Sequence, residues 1–119
     1  MALATLARDL REEPAYLESG ADGITLVKTS TLRVVLEVLR SGHRLAEHQV
    51  PGSVTLHLLE GEVRLQSGEE VSYVVAGELL ALPANHLHTV EAVKDCVFLL
   101  HLGVATKSAE APIDVATAA

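Results

Sequence analysis

Residues 77–88 read Gly77-Glu78-Leu79-Leu80-Ala81-Leu82-Pro83-Ala84-Asn85-His86-Leu87-His88. The apolar run Leu79 to Leu82 stands between a glycine and a proline, which bounds it as a short strand. The same pattern repeats outward in both directions. From Ile24 onward, short β-rich runs are separated by turn residues every 8 to 12 positions. The predicted strands are Ile24 to Lys28, Leu32 to Arg40, Val54 to Leu59, Glu62 to Gln66, Val71 to Val75, Leu79 to Leu82, Leu87 to Ala92 and Cys96 to Leu102. Ser41-Gly42, Pro51-Gly52, Ser67-Gly68, Gly77 and Pro83 supply the bends between them. The fold class this implies is all-β, a sandwich or barrel.

Leu32-Arg33-Val34-Val35-Leu36-Glu37-Val38-Leu39 is apolar on both strand faces, so a second covering layer is required. Leu3, Leu6 and Leu10 recur at helix spacing with Ala4 and Ala7 beside them, predicting a short amphipathic N-terminal helix ended by Glu12, Glu13 and Pro14. The organisation is therefore a helical arm over residues 1–22, a barrel over 23–103 and a flexible tail over 104–119.

The 119 residues suit one domain with one main core. With 49% hydrophobic and 21% charged residues the chain is composed to fold, and its core must come from Val, Leu, Ile and Ala because aromatics are scarce. A formal charge of −7 without any basic stripe excludes nucleic acid as the expected partner. The single Cys96 and the lack of a signal-like N-terminal apolar run point to a reducing, cytoplasmic setting with no membrane insertion.

Two stretches together resemble the paired motifs of the cupin superfamily, whose small RmlC-like members are jelly-roll barrels. Residues 77–88 follow the spacing Gly, five residues, Pro, one residue, Gly, two residues, His, with Asn85 in place of the second Gly. Asn tolerates a positive φ better than most residues, so the turn survives the change. In the other stretch, Glu47 to Val63, alignment on Gly61 puts His48 at the first position of a His-x-His pair. Val50 replaces the second His and Val54 the Glu that completes the family's metal site. The resemblance implies a small jelly-roll barrel with a degenerate first motif, in which His48 and His88 remain as two of four metal ligands.

That resemblance implies that His48 and His88 line the cavity, either as a metal pair or as a hydrogen-bonded pocket pair. Zn, Ni, Fe or Cu is the expected ion class, because imidazole without a carboxylate disfavours harder cations. His86 shares strand parity with His88 and is the candidate third ligand, unless it is still part of the turn. Val50 and Val54 form an apolar pocket wall, and His101 either reaches the cavity or sits as a satisfied core residue. His57 belongs to the outer face, His43 to a loop, and Cys96 has no base at fixed spacing to activate it.

Three functions fit these residues: a barrel that binds a small molecule and a divalent metal, a metal-dependent dioxygenase, isomerase or lyase, and an interaction domain with a vestigial site. A homodimer is expected, on the reasoning that so short a chain leaves the outer faces of its doubly apolar strands for a second copy.

Overall fold

The computed structural model describes residues 1–48, 52–82 and 88–103, with the backbone alone described at 46–48. Among the described residues two helices, α1 (Leu3–Glu12) and α2 (Pro14–Ser19), precede nine strands. These are β1 (Ala21–Lys28), β2 (Leu32–Leu39), β3 (Arg44–His48), β4 (Val54–Glu60), β5 (Glu62–Ser67), β6 (Glu70–Val75), β7 (Leu79–Leu82), β8 (His88–Ala92) and β9 (Cys96–Gly103). All pair antiparallel, as a five-stranded sheet in the order β1-β2-β9-β4-β7 facing a four-stranded sheet in the order β3-β8-β5-β6. The all-β architecture expected from the turn spacing is therefore present, in the jelly-roll form that the family resemblance implied.

Alternation along the strands divides the apolar residues into two cores. Between the sheets lie Val35, Leu39, Val54, Leu56, Leu58, Val63, Leu65, Phe98 and Leu100 with their neighbours. On the other side of the five-stranded sheet, Val34, Leu36, Val38, Val97 and Leu99 pack against Ala7, Leu10 and Tyr16, with Leu3 and Leu6 partly buried beside them. The helix is thus the covering layer that the doubly apolar β2 sequence requires. It also removes the argument for a dimer through that face, because β2 and β9 are covered there by the chain's own arm.

Pro14, read from sequence as a stop, instead opens α2, where its fixed φ and missing N–H suit a first helical turn. Gly20 ends α2 at φ 79°, its N–H donating to Tyr16 O at 2.7 Å. The His43 ring lies where a Cβ on Gly20 would be, 2.7 Å from it, so this position combines a left-handed backbone with a filled space. Arg40 joins the same corner, donating to Tyr16 O at 3.1 Å and standing 5.0 Å over the Tyr16 ring. Farther along, the Arg11 guanidinium lies 3.2 Å from Glu60 Oε2 and ties α1 to the end of β4.

β3 was not foreseen. Its pairing with β8 runs Arg44 to Glu91, Leu45 to Val90 and His48 to His88, so three steps on β3 match two on β8. The extra residue breaks the period-2 pattern from which the other strands were read.

If α1 is a structural layer, Leu10→Ala should cost about 2–4 kcal/mol in urea-induced unfolding, as expected for truncating a buried leucine. Leu17→Ala, at a side chain 59% exposed, should change stability by less than about 0.5 kcal/mol.

Candidate functional site

β8 alternates buried and half-buried residues, and His88, Val90 and Ala92 share its buried face. Val90 and Ala92 belong to the core between the sheets, so His88, at 2% exposure, faces the barrel interior with them. The register sets His48 of β3 directly across from His88. Paired positions on adjacent antiparallel strands are neighbours on the ladder.

Val54 opens β4 at 3% exposure and pairs with Leu82 on one side and Leu102 on the other. It belongs to the core between the sheets. Val50 and His86 lie outside the described residues. His101 does not face the cavity. Phe98 and Leu100 of β9 point into the inner core, whereas Val97 and Leu99 point to the outer one, and His101 alternates with the latter pair. It sits opposite Val34 and Thr55 on the outer face, so its assignment to the pocket is corrected. His57, opposite Leu99 and Leu79, is on that outer face as anticipated. Cys96 is fully buried, and burial pushes its thiol up to about 12, so it stays protonated and unreactive at neutral pH.

Sequence reasoning missed a polar strip on the inner face of β1 and β2. Glu37 lies between Val35 and Leu39, both in the inner core, and therefore faces inward with them. Its partner across the ladder is Gly23, and a Cβ there would come within 2.6 Å of Glu37 Oε2. The glycine makes room for the carboxyl. Burial, reinforced by Asp22 and opposed by Arg33, raises the Glu37 pKa from 4.5 to about 7. Arg33 and Thr25 share this face, and Arg33 Nη2 donates to Thr25 Oγ1 at 3.4 Å. The signal was present in the parity of Leu32 to Leu39, which the overall apolarity of that run obscured.

Among the described residues, no group of three or more His, Cys, Asp or Glu is placed to hold a metal ion. The same residues include no helix long and apolar enough to cross a membrane.

Solved structures share this architecture. A conserved protein of unknown function from Streptococcus pyogenes, SPY1581, superposes with a TM-score of 0.70 at 24% identity, covering 75% of this chain and 78% of that one. A cupin superfamily protein from Desulfitobacterium hafniense gives 0.69 at 16% identity, covering 71% and 78%. Salicylate 1,2-dioxygenase from Pseudoaminobacter salicylatoxidans, solved with gentisate, gives 0.69 at 20% identity, with 84% of this chain matching 30% of that much longer one. No protein-family model matches the sequence, and no curated protein sequence matches it.

Glu37 makes stability depend on pH in a defined direction. Its carboxyl is more readily protonated in the folded chain than in the unfolded one, so its contribution is full below about pH 4.5 and is lost as pH rises through about 7. Relative to Glu37→Gln, the wild type should lose on the order of 2 kcal/mol between those limits, measured by denaturant unfolding at a series of pH values.

Proposed function

From the premise that this chain carries the RmlC-like cupin fold, we propose that it is a binding barrel. Its cavity takes a small organic molecule, with a divalent transition metal held weakly at His48 and His88. The observation that carries the reading is the register of His48 opposite His88, with His88 buried among the inner core residues.

The donor set decides the metal class. The position that the motif spacing gives to a carboxylate is Val54, buried among Leu82, Leu56 and Leu58, so no anionic ligand neutralises the ion there. A pair of imidazoles suits Zn, Ni, Cu or Fe and serves Mg and Mn poorly. A bound ion would polarise an oxygen of the organic ligand. The protein's own contribution is a dry apolar wall from Val54 and its neighbours, which excludes water and favours the apolar part of that ligand. The likeness to a dioxygenase is one of fold, and reaction chemistry does not follow from fold.

Thermal melting with added NiCl2 or ZnCl2 on untagged protein tests this reading. The ion should raise the melting temperature of the wild type, and less so below about pH 6, where imidazole is protonated. His48→Ala and His88→Ala should each abolish the rise, while His43→Ala, at the α2 corner, should keep it. Val50→His combined with Val54→Glu should tighten binding by supplying a third imidazole and a neutralising carboxylate. A folded double variant that binds no better than wild type would remove the assignment of those two positions.

A further inference from the structure

β6 is the outermost strand of the four-stranded sheet, so among the described residues one of its edges pairs with no other strand. The turn that begins it fixes where its backbone groups point. Ser67 pairs with Glu70 around Gly68-Glu69, a two-residue hairpin that makes this pair hydrogen-bonded. Bonded pairs then recur at every second step, at Leu65 with Ser72 and Val63 with Val74, and Ala76 N–H continues them by donating to Gly61 O at 3.2 Å. Val71, Tyr73 and Val75 therefore point their N–H and C=O groups away from β5, along the open edge. Val75 is already closed, since its N–H donates to Glu78 Oε1 at 2.8 Å and its carbonyl accepts from Glu78 N at 3.0 Å. That leaves Val71 and Tyr73 as the open length of the edge.

The side chains of those two residues lie on the outer face of the sheet, because Val74, which alternates with them, is buried in the inner core. Val71 is 41% and Tyr73 59% exposed. Natural sheets blunt such edges with charge, proline or a cover. Glu69 and Glu70 do so at the turn and Glu78 at Val75, whereas Val71-Ser72-Tyr73 between them carries no charge.

We propose that this stretch pairs with its own counterpart in a second copy of the chain, antiparallel about a twofold axis through Ser72. In that register Val71 of each copy meets Tyr73 of the other as a hydrogen-bonded pair, which satisfies every backbone group left open on both edges. It also sets an aromatic side chain against a β-branched one twice on the outer face. A twofold through Tyr73 would instead set Val71 of one copy against Val75 of the other, whose N–H Glu78 already holds. The open edge thus matches its own copy in length and in register, and this selects a second copy over a longer extended segment of another protein, which would meet the Glu78 cap. Contact along so short an edge buries far less than the roughly 1,600 Å² of a standard interface, so the dimer is transient and forms at high concentration. The surface is separate from the helix-covered face of β2 and from the barrel interior, and it owes nothing to His48 and His88.

Sedimentation equilibrium of the full-length protein reads the association, in about 0.3 M NaCl to screen the repulsion between two chains of formal charge −7. The mean mass should rise from one chain toward two between about 10 and about 500 µM. Tyr73→Lys should hold the protein monomeric across that range while keeping its melting temperature, because the side chain is exposed. Ser72→Cys reads the register, since across the axis the two copies of this position form a non-hydrogen-bonded pair with Cα atoms about 4.5 Å apart, within reach of a disulfide. Mild oxidation should therefore convert Ser72→Cys to a covalent dimer. Glu70→Cys, whose two copies lie about 14 Å apart along the strands, should not cross-link. Cys96 is fully buried with its thiol pushed up to about 12, so it does not compete. A wild type that stays monomeric throughout would overturn the proposal and leave the edge to a strand of another protein. Association that survives Tyr73→Lys would overturn it as well, as would a Ser72→Cys variant that cross-links no better than Glu70→Cys.

Discussion

β2 and β9 must be buried on both faces, and the remainder of the structure answers that requirement. Their inner residues Val35, Leu39, Phe98 and Leu100 need a facing sheet, and their outer residues Leu36, Val38, Val97 and Leu99 need a second cover. The four-stranded sheet meets the first need and α1 the second. Each fully buried leucine or valine contributes about 1.5–3 kcal/mol through removal from water, so leaving either face bare would forfeit a large share of a typical domain's net stability. The arm is consequently part of the domain. Arg11 to Glu60 and Arg40 to the end of α2 fasten it at two places, which fixes the angle at which it crosses the sheet.

Most strands were legible because their apolar residues alternate or run continuously between turn residues, and the structure reproduces those spans within a few positions. β3 was not legible, because Arg44 to His48 has little β-branched character and carries an extra residue relative to β8. Pro14 was misread because a proline that ends one helix can begin the next. The expectation of a dimer assumed that a chain of this length could not cover both faces of β2, whereas Ala7, Leu10 and Tyr16 of the helical arm pack on its outer face.

The two parts of the site differ in how sequence encodes them. Motif spacing singled out His48 and His88, while their pairing across the bulge, where strand parity fails, comes from the structure. His101 had no such anchor, and only the alternation of Leu100 with Leu99 reveals that it faces outward. Arg33 and Lys28 were invisible for a further reason. They come together through a register shift between Thr25 and Val27, which turns Lys28 to the face that simple alternation from Thr25 would deny it.

Val54 holds the position where the motif spacing calls for a carboxylate, and the structure buries it in the core between the sheets. A glutamate at this position would serve a metal ion by neutralising its charge. Among Leu56, Leu58 and Leu82 the same glutamate would carry the desolvation cost of a buried carboxylate unless an ion or a hydrogen-bond donor met it. Valine removes that cost and packs with those leucines instead. The substitution thus trades a side chain that could neutralise an ion for one more apolar contact in the core between the sheets.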